Sequence, residues 1–307
     1  MKQKVLSLCF PTYNRGWCMK EQIERLKSCP KETLDKMEII ISDNCSTDET
    51  QQIVEDAIAD GFVCRYIRNE TNLGMDGNFV SCFRKARGKY VWLLGDDDTI
   101  IIDSLVQIVK LLDVSEEYGL LHLYQKDDLQ QDVIYVNDKD KMIKYVSYYI
   151  TFISANIVNT KYVPQVNFEK YMGTWFTLMP LYITASIKEH INIVFNIQTF
   201  ENAKDYSRNG GYNFYEVFVK NYQTIIAEYI TDNNLFKWLK KDIWPFIWKY
   251  TSRLLFKKDI GNFKVDNGWK ILFKYYGNEW YYWWYLFKYP FGAVKRKVKK
   301  GLKNESN

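Results

Sequence analysis

An α/β fold, a mainly parallel sheet covered by helices on both faces, is predicted by three observations. Short apolar runs and amphipathic helical stretches alternate through the first part of the chain. The connections between them are short, as crossovers in a parallel sheet require. Polar clusters follow three of the apolar runs, at the carboxyl ends of strands, where such sheets bind ligands.

The elements follow in order. Residues 5–10 (VLSLCF) form an apolar run ended by Pro11, predicting a buried strand. Met19, Ile23 and Leu26 then recur at helical spacing with charges between them. Residues 38–42 (EIIIS) predict a second strand. Ser46 and Glu49 make an S-x-x-E capping box, and the helix it predicts continues through Ile53, Val54 and Ala57. Residues 62–67 read as a third strand. Residues 78–87 read as a helix with Phe79, Cys82, Phe83 and Ala86 inward, Asn78 at its start and Gly88 past its end. Residues 90–94 predict a fourth strand. A helix begins near Asp103 with Leu105, Ile108, Val109 and Leu112 on one face, and residues 118–124 predict a further strand. Residues 125–145 are polar and read as a surface loop or edge hairpin, and residues 152–156 (FISAN) as a strand. From about Asn213 the pattern is helical and rich in Phe, Tyr and Trp. The division expected is therefore 1–212 and 213–307.

Composition narrows the function classes. A chain of 307 residues can bury a full core. Its formal charge of +5 is too small to imply a nucleic-acid partner by itself. The six cysteines form no C-x-x-C pair and there are two histidines, which argues against zinc and for reduced, buried thiols in a cytosolic protein. The N-terminal apolar stretch is too short for a signal peptide, and no run reaches the roughly 18 to 20 apolar residues that span a bilayer.

Three clusters carry the chemistry. After the first strand stand Pro11, Thr12, Tyr13, Asn14 and Arg15; after the second, Asp43 opens the run DNCSTD; after the fourth, Gly95 precedes Asp96, Asp97 and Asp98. Adjacent carboxylates repel, and concentrating three is costly unless a cation is shared. Hard oxygens suit Mg²⁺ or Mn²⁺, which bind diphosphate oxygens. An isolated acidic triplet is more often a solvated turn; its place after a buried strand reverses that reading. Asp43 can accept hydrogen bonds from a base or ribose, or act as a turn aspartate. Asn72, Gly74, Gly77 and Asn78 form a loop in which glycine lets backbone approach a ligand and a helix start favours phosphate.

Taken together, SLCFPTYNR, EIIISDNCSTDET, RNETNLGMDGN and ARGKYVWLLGDDD, in this order and spacing, resemble the family 2 glycosyltransferases of GT-A fold, in particular the abequosyltransferase-like branch. The resemblance is strong over residues 4–125 and weaker to about 215. It implies that the Thr12–Arg15 segment and Asp43 hold the nucleotide base, that Asn72 and Gly74 shape the donor site, and that Asp96, Asp97 and Asp98 form the DxD region for metal and diphosphate. Gly95 stands where many members have the first aspartate. The FISAN segment is placed near the acceptor. The resemblance also implies a nucleotide-sugar donor, Mn²⁺ or Mg²⁺, a saccharide or lipid-diphosphate-linked acceptor, and direct displacement with inversion, which needs a general base. The family's base belongs to a Glu-Asp pair, and Gly173 and Thr174 occupy its place here. Glu169 is the nearest candidate, or else a surface glutamate at a helix start; Glu201 and Asp205 are further candidates; Arg208 is a candidate diphosphate contact or an exposed loop arginine. A catalytically inactive nucleotide-sugar-binding protein of the same fold is the alternative. A nucleotidyltransferase would want a glycine-rich basic loop after the first strand, and none stands before Gly16.

The C-terminal segment differs from the rest. Residues 280–287 read WYYWWYLF, and Lys295, Arg296, Lys297, Lys299, Lys300 and Lys303 follow. Aromatics favour the bilayer interface and basic clusters favour anionic lipid. This tail is expected to hold the protein on the inner membrane face. A buried helix pair with a solvated tail is the competing reading.

Overall fold

The computed structural model describes residues 3–123, 129–201, 210–257 and 262–288. Arg208, Asp205 and the basic residues after 288 lie outside them. The chain runs β1 (Leu6–Thr12), α1 (Gly16–Lys27), α2 (Lys31–Leu34), β2 (Met37–Asp43), α3 (Thr50–Ala59), β3 (Arg65–Arg68), α4 (Gly74–Lys85), β4 (Tyr90–Leu93), β5 (Thr99–Ile100), α5 (Ile102–Leu112), β6 (Leu120–Leu123), β7 (Val133–Val136), α6 (Lys139–Val146), β8 (Asn156–Asn159), α7 (Met179–Lys188), β9 (Asn192–Phe195) and β10 (Phe200–Glu201). It continues through β11 (Gly210–Asn213), a π-helical stretch Glu216–Asn221, α8 (Tyr222–Tyr229), α9 (Asn233–Asp242), α10 (Trp244–Lys257), β12 (Asn262–Lys264) and α11 (Gly268–Tyr276).

The main sheet has eight strands in the order β3-β2-β1-β4-β8-β6-β9-β7. β8 and β7 run against the other six. β1 is buried along its whole length. It pairs with β2 from Leu6 to Thr12 but with β4 only from Leu6 to Cys9. Pro11, which has no N–H, therefore sits in the strand beyond the stretch that β4 covers, where a missing donor costs no ladder bond. β1 and β4 are also where the winding reverses, since β2 and β3 lie to one side and β4 to the other. A crevice at that reversal is the expected ligand position.

Two compact units result. One comprises Met1–Tyr206 and Ile225–Asp242, the other Ser207–Thr224 and Ile243–Asn307. By this grouping α9 and most of α8 go with the first unit. Ile226, Ile230 and Leu239 pack there against Ile143, Val146, Ile150 and Ile183. Glu228 also accepts a bond from the Tyr171 hydroxyl at 2.8 Å.

Several local expectations shift for identifiable reasons. α3 starts at Thr50, because Ser46 is drawn instead to Asp43 and Asn14: its N–H donates to Asp43 Oδ1 at 2.8 Å and its hydroxyl accepts from the Asn14 N–H at 2.9 Å. α4 starts at Gly74 rather than Asn78. The 125–145 stretch contains, among its described residues, edge strand β7 and α6. FISAN is a short 3-10 turn, Ile153–Ala155, leading into β8. All six cysteines are unpaired as thiols, four of them buried, and burial pushes Cys64 up to about 11.

The second unit is held by rings. Phe214 stacks on Tyr250 with centroids 4.5 Å apart, and Trp244 meets Tyr276 at 4.6 Å. Gly268 passes Tyr215 so closely that a Cβ would lie 2.4 Å from the ring, so only glycine fits. Among the described residues no helix is long and apolar enough to cross a membrane.

Candidate active site

The end of β1 delivers Thr12 and Arg15, and the turn after β4 delivers Asp96 to Asp98, to the same crevice. The Thr12 hydroxyl donates to Asp96 Oδ2 at 2.8 Å. Arg15 Nη1 lies 2.7 Å from Asp96 Oδ1 and 2.8 Å from Asp97 Oδ2. Two carboxylates thus converge on one cationic nitrogen, and Asp97, with its side chain 22% exposed, is the open member. Burial, opposed by Arg15 and reinforced by Asp97, pushes the Asp96 carboxyl up to about 6. Burial also works against the Arg15 cation, but Asp96 and Asp97 outweigh it and hold its pKa above the ordinary value.

Asp98 goes elsewhere. Its carboxylate accepts from the Ser154 hydroxyl at 2.5 Å, and Ser154 Oγ in turn accepts from the Gly95 N–H at 2.9 Å. A Cβ on Gly95 would stand 3.1 to 3.3 Å from the Asp98 and Asp97 oxygens and from Ser154 Oγ. Absence of a side chain at 95 is what lets the three groups gather. Of the three aspartates grouped as metal ligands, then, Asp96 and Asp97 face a common cation and Asp98 braces the turn.

Two bracing residues escaped the sequence reading. Gln22 Nε2 donates to the carbonyls of Asp98 at 2.6 Å and Asp96 at 3.3 Å, and its Oε1 accepts from the Ile100 N–H. A polar residue beside Met19 and Ile23 on the buried face of α1 was the available signal. Ser154 lies in the FISAN segment, where a 3-10 turn stands in place of the expected strand.

Asp43 reaches the same rim, paired in register with Thr12. Its side chain is 0% exposed and accepts from the Tyr66 hydroxyl at 2.6 Å as well as the Ser46 N–H. It fixes the 44–46 turn, and Arg68 Nε stands 3.6 Å from it. Pro11 is buried, while Tyr13 is exposed and Asn14 Oδ1 accepts from the Thr47 N–H at 2.7 Å. Asn72 Oδ1 accepts from Asn44 Nδ2 and the Gly74 N–H, both at 2.8 Å. Gly74 has φ +72, a backbone that glycine adopts without strain, with open space beside it. Asn78 does not start a helix; it is buried within α4, where Oδ1 accepts from Ser42 Oγ at 2.7 Å and Nδ2 donates to the Ser42 carbonyl. It ties α4 to β2 and offers no free helix end to a phosphate.

Glu169 does not meet the triplet. Arg84 Nη2 donates to it at 2.7 Å. From Gly74 at the ligand rim to Arg84 the helix rises about 15 Å toward the opposite edge of the sheet. Glu201 is closer: β10 pairs with β5 so that Glu201 lies opposite Thr99. Its carboxylate is 3.8 Å from Arg25. A cavity of about 540 Å³, lined by Lys4, Lys31, Met37 and Phe62 among others, lies at the amino ends of the strands and shares no residue with this site.

With Asp96 and Asp97 convergent on a positive nitrogen, the donor set fits a hard divalent ion. Among the described residues no cluster of three or more His, Cys, Asp or Glu is arranged to hold one. Diphosphate and water oxygens would have to complete the shell, as is usual for Mg²⁺.

The comparisons with known proteins agree with this architecture. Over 110 residues the chain is 39% identical to abequosyltransferase RfbV of Salmonella typhimurium, covering 36% of this chain and 33% of that protein. Over 106 residues it is 30% identical to GalNAc(5)-diNAcBac-PP-undecaprenol beta-1,3-glucosyltransferase of Campylobacter jejuni, covering 34% and 33%. The matched part thus spans about a third of either relative. Among solved structures, S. aureus TarS 1-349 superposes with a TM-score of 0.59 at 18% identity, over 83% of this chain and 76% of that one. The mannosyltransferase PcManGT of Pyrobaculum calidifontis, in complex with GDP-Man and Mn²⁺, gives 0.50 at 15% identity over 76% and 66%. The profile described as glycosyl transferase family 2 matches residues 7–200, and with its reversal-point crevice and mixed sheet of GT-A type the chain belongs to that family.

Proposed function

We propose that the chain is an inverting glycosyltransferase that moves a sugar from a nucleotide-diphosphate donor, with uridine as the base, to a saccharide or lipid-diphosphate-linked acceptor in surface polysaccharide synthesis. The observation that carries this reading is the convergence of Asp96 and Asp97 on Arg15 Nη1 at the crevice between β1 and β4. The names of the curated relatives support the acceptor class. TarS in complex with UDP-GlcNAc, a structural neighbour with a TM-score of 0.55, is in keeping with a uridine donor.

Asp96 and Asp97 would hold Mn²⁺ or Mg²⁺, which when bound neutralises the departing diphosphate. Arg15, beside the same two carboxylates, would bind a phosphate oxygen as a planar fork. Thr12 keeps Asp96 oriented. Tyr13, exposed at the end of β1, would meet the base. Gly74 allows the backbone of the Asn72 loop to approach the sugar.

The exposed aromatic residues of the second unit support attachment to the inner face of the cell membrane, where a lipid-linked acceptor lies. One observation favours the alternative of an inactive binding protein: Glu169 is tied to Arg84, and Gly173 and Thr174 supply no carboxylate at the expected place of the base.

Calorimetry with UDP, GDP and CDP, with and without Mn²⁺, tests the proposal. Metal-dependent binding of UDP is expected. Asp97→Ala should weaken it about tenfold or more while leaving the folded state intact, because the residue is partly exposed and caps no helix. Metal-independent binding, or none, would reject the donor site. Hydrolysis of the donor sugar by the native chain, lost in Asp97→Ala, separates an enzyme from a binding protein.

A further inference from the structure

Among the described residues Trp175 is the bulky one with a left-handed backbone, at φ 67°, and it stands two residues after Gly173 at φ 77°. A large side chain in that region is an outlier that the surroundings must enforce. They do. The Gly173 N–H donates to Asp76 Oδ2 at 2.8 Å. Thr174 and Thr177 hydroxyls both donate to the Tyr171 carbonyl, at 2.6 and 2.9 Å. Phe176 and Leu178 are buried on the C-terminal side. The backbone is pinned on both sides, and the indole stands 38% exposed.

The position is informative. Asp76 lies in the first turn of α4, at the ligand edge of the sheet, two residues after Gly74. Trp175, Asp76 and Ile153 line one small recess, and Ile153 precedes Ser154, which holds Asp98 and Gly95. Met172 reaches the same turn: its Cε is 3.8 Å from where a Cβ on Gly77 would be. Leu73 and Met172 are exposed beside it. A strained, exposed tryptophan that shares a loop with exposed Met172, and a recess with the residue before Ser154, points to a ligand rather than to packing.

Resting on the glycosyltransferase reading above, we propose that Trp175, held by Asp76, is the platform on which a pyranose ring of the saccharide acceptor stacks. The ring's hydrogen-bearing face is apolar and matches an indole face, while its hydroxyl edge is left to the polar groups of the crevice. Asp76 acts through the loop as a positioning residue. Burial raises its pKa above the ordinary carboxylate value, against the lowering effect of Thr177, Gly173 and Trp175.

The test is saturation-transfer NMR on the full chain with methyl glycosides of glucose, galactose, mannose, rhamnose and N-acetylglucosamine. Saturation of ring hydrogens on one face of at least one glycoside is expected, with affinity reduced about tenfold or more in Trp175→Gly and largely kept in Trp175→Phe. Glycine is free to adopt φ 67°, so Trp175→Gly should melt no lower than the native chain, which keeps the readout clear of misfolding. Asp76→Asn retains an acceptor for the Gly173 N–H and should keep glycoside binding, whereas Asp76→Ala should lose it. No saturation on any glycoside, or native affinity in Trp175→Gly, would overturn the proposal. Nucleotide binding is measured on the same samples. Unchanged nucleotide binding with insensitive glycoside binding defeats only this inference, and absent nucleotide binding defeats the function it rests on.

Discussion

Arg15 is the counter-ion of the acidic turn before any ligand arrives. Its side chain is 21% exposed and its partner Asp96 7%, so little water shares the charge. Removing one partner of a buried pair strands the other, at a cost of several kcal/mol. Partial exposure of Asp97 reduces that here. Arg15→Met is expected to lower stability by about 2 kcal/mol in urea titrations without metal. Millimolar Mn²⁺ should restore more of it in the variant than it adds to the native chain, since the stranded carboxylates are then free to take the ion. Equal effects of Mn²⁺ on both proteins would mean that Asp96 and Asp97 do not form a cation site. At this scale the sequence showed which residue types gather but not how they pair. Adjacency made Asp96, Asp97 and Asp98 look equivalent, and only the turn geometry separates Asp98, drawn to Ser154 from 56 residues away. Asn78 looked like a helix cap because asparagine favours caps. Its amide instead finds Ser42 across the gap between α4 and β2, a pairing invisible in local sequence.

At the scale of elements, the parallel strands β1, β2 and β4 were legible because each is a continuous apolar run followed by polar residues. β8 was not. It inserts antiparallel between β4 and β6 although it comes after both in the chain, and no periodicity reports such an order. The joint that fixes it to α7 carries a pH-dependent prediction. Glu189, just past the end of α7, accepts from the Tyr162 hydroxyl at 3.0 Å and pairs with Lys161 at 2.5 Å, both following β8. Burial raises its pKa, but Lys161, the His190 N–H and Tyr162 together outweigh burial and hold it below the ordinary value. A depressed folded pKa contributes stability that is present above the unfolded value and lost as pH falls through the folded one. Lys161 is 41% exposed, so solvent discounts the gain. Glu189→Gln should therefore cost about 1 kcal/mol at pH 7. The difference from the native chain should narrow below about pH 4 and vanish once Glu189 itself is protonated. Urea midpoints at pH 7 and in the acid range check this; a gap independent of pH would assign the loss to packing rather than charge.

For the whole molecule, the question is where its chemistry takes place, and the outer face of the second unit bears on it. In the helical residues 280–288, Tyr281 and Tyr282 turn inward onto Trp244, with centroids 5.7 Å away in each case. Trp280, Trp283, Trp284 and Phe287, at i, i+3, i+4 and i+7, are between 41% and 67% exposed. A surface helix ordinarily turns its polar face outward; here the outward stripe is aromatic. Lys288 Nζ sits 5.0 Å over the Trp284 ring, and Trp269 and Phe273 of α11 add to the exposed apolar area. Exposed aromatic patches of this kind mark an interaction surface, and tryptophan with lysine beside it fits the headgroup zone of a bilayer. The six basic residues from Lys295 to Lys303 are outside the described residues; on the membrane proposal their charge would add about 1 kcal/mol each near anionic lipid. The two contributions differ in salt dependence, because screening weakens the charges and not the insertion of rings. Deleting the residues after Tyr289 is thus expected to remove the salt-sensitive part of binding to phosphatidylglycerol vesicles in co-sedimentation. Trp280→Ser with Trp284→Ser should remove most of what persists at about 1 M salt. A native chain that stays in the supernatant with anionic vesicles would end the membrane proposal and return the aromatic stripe to a protein partner. Binding that resists both changes would place the membrane contact elsewhere on the chain.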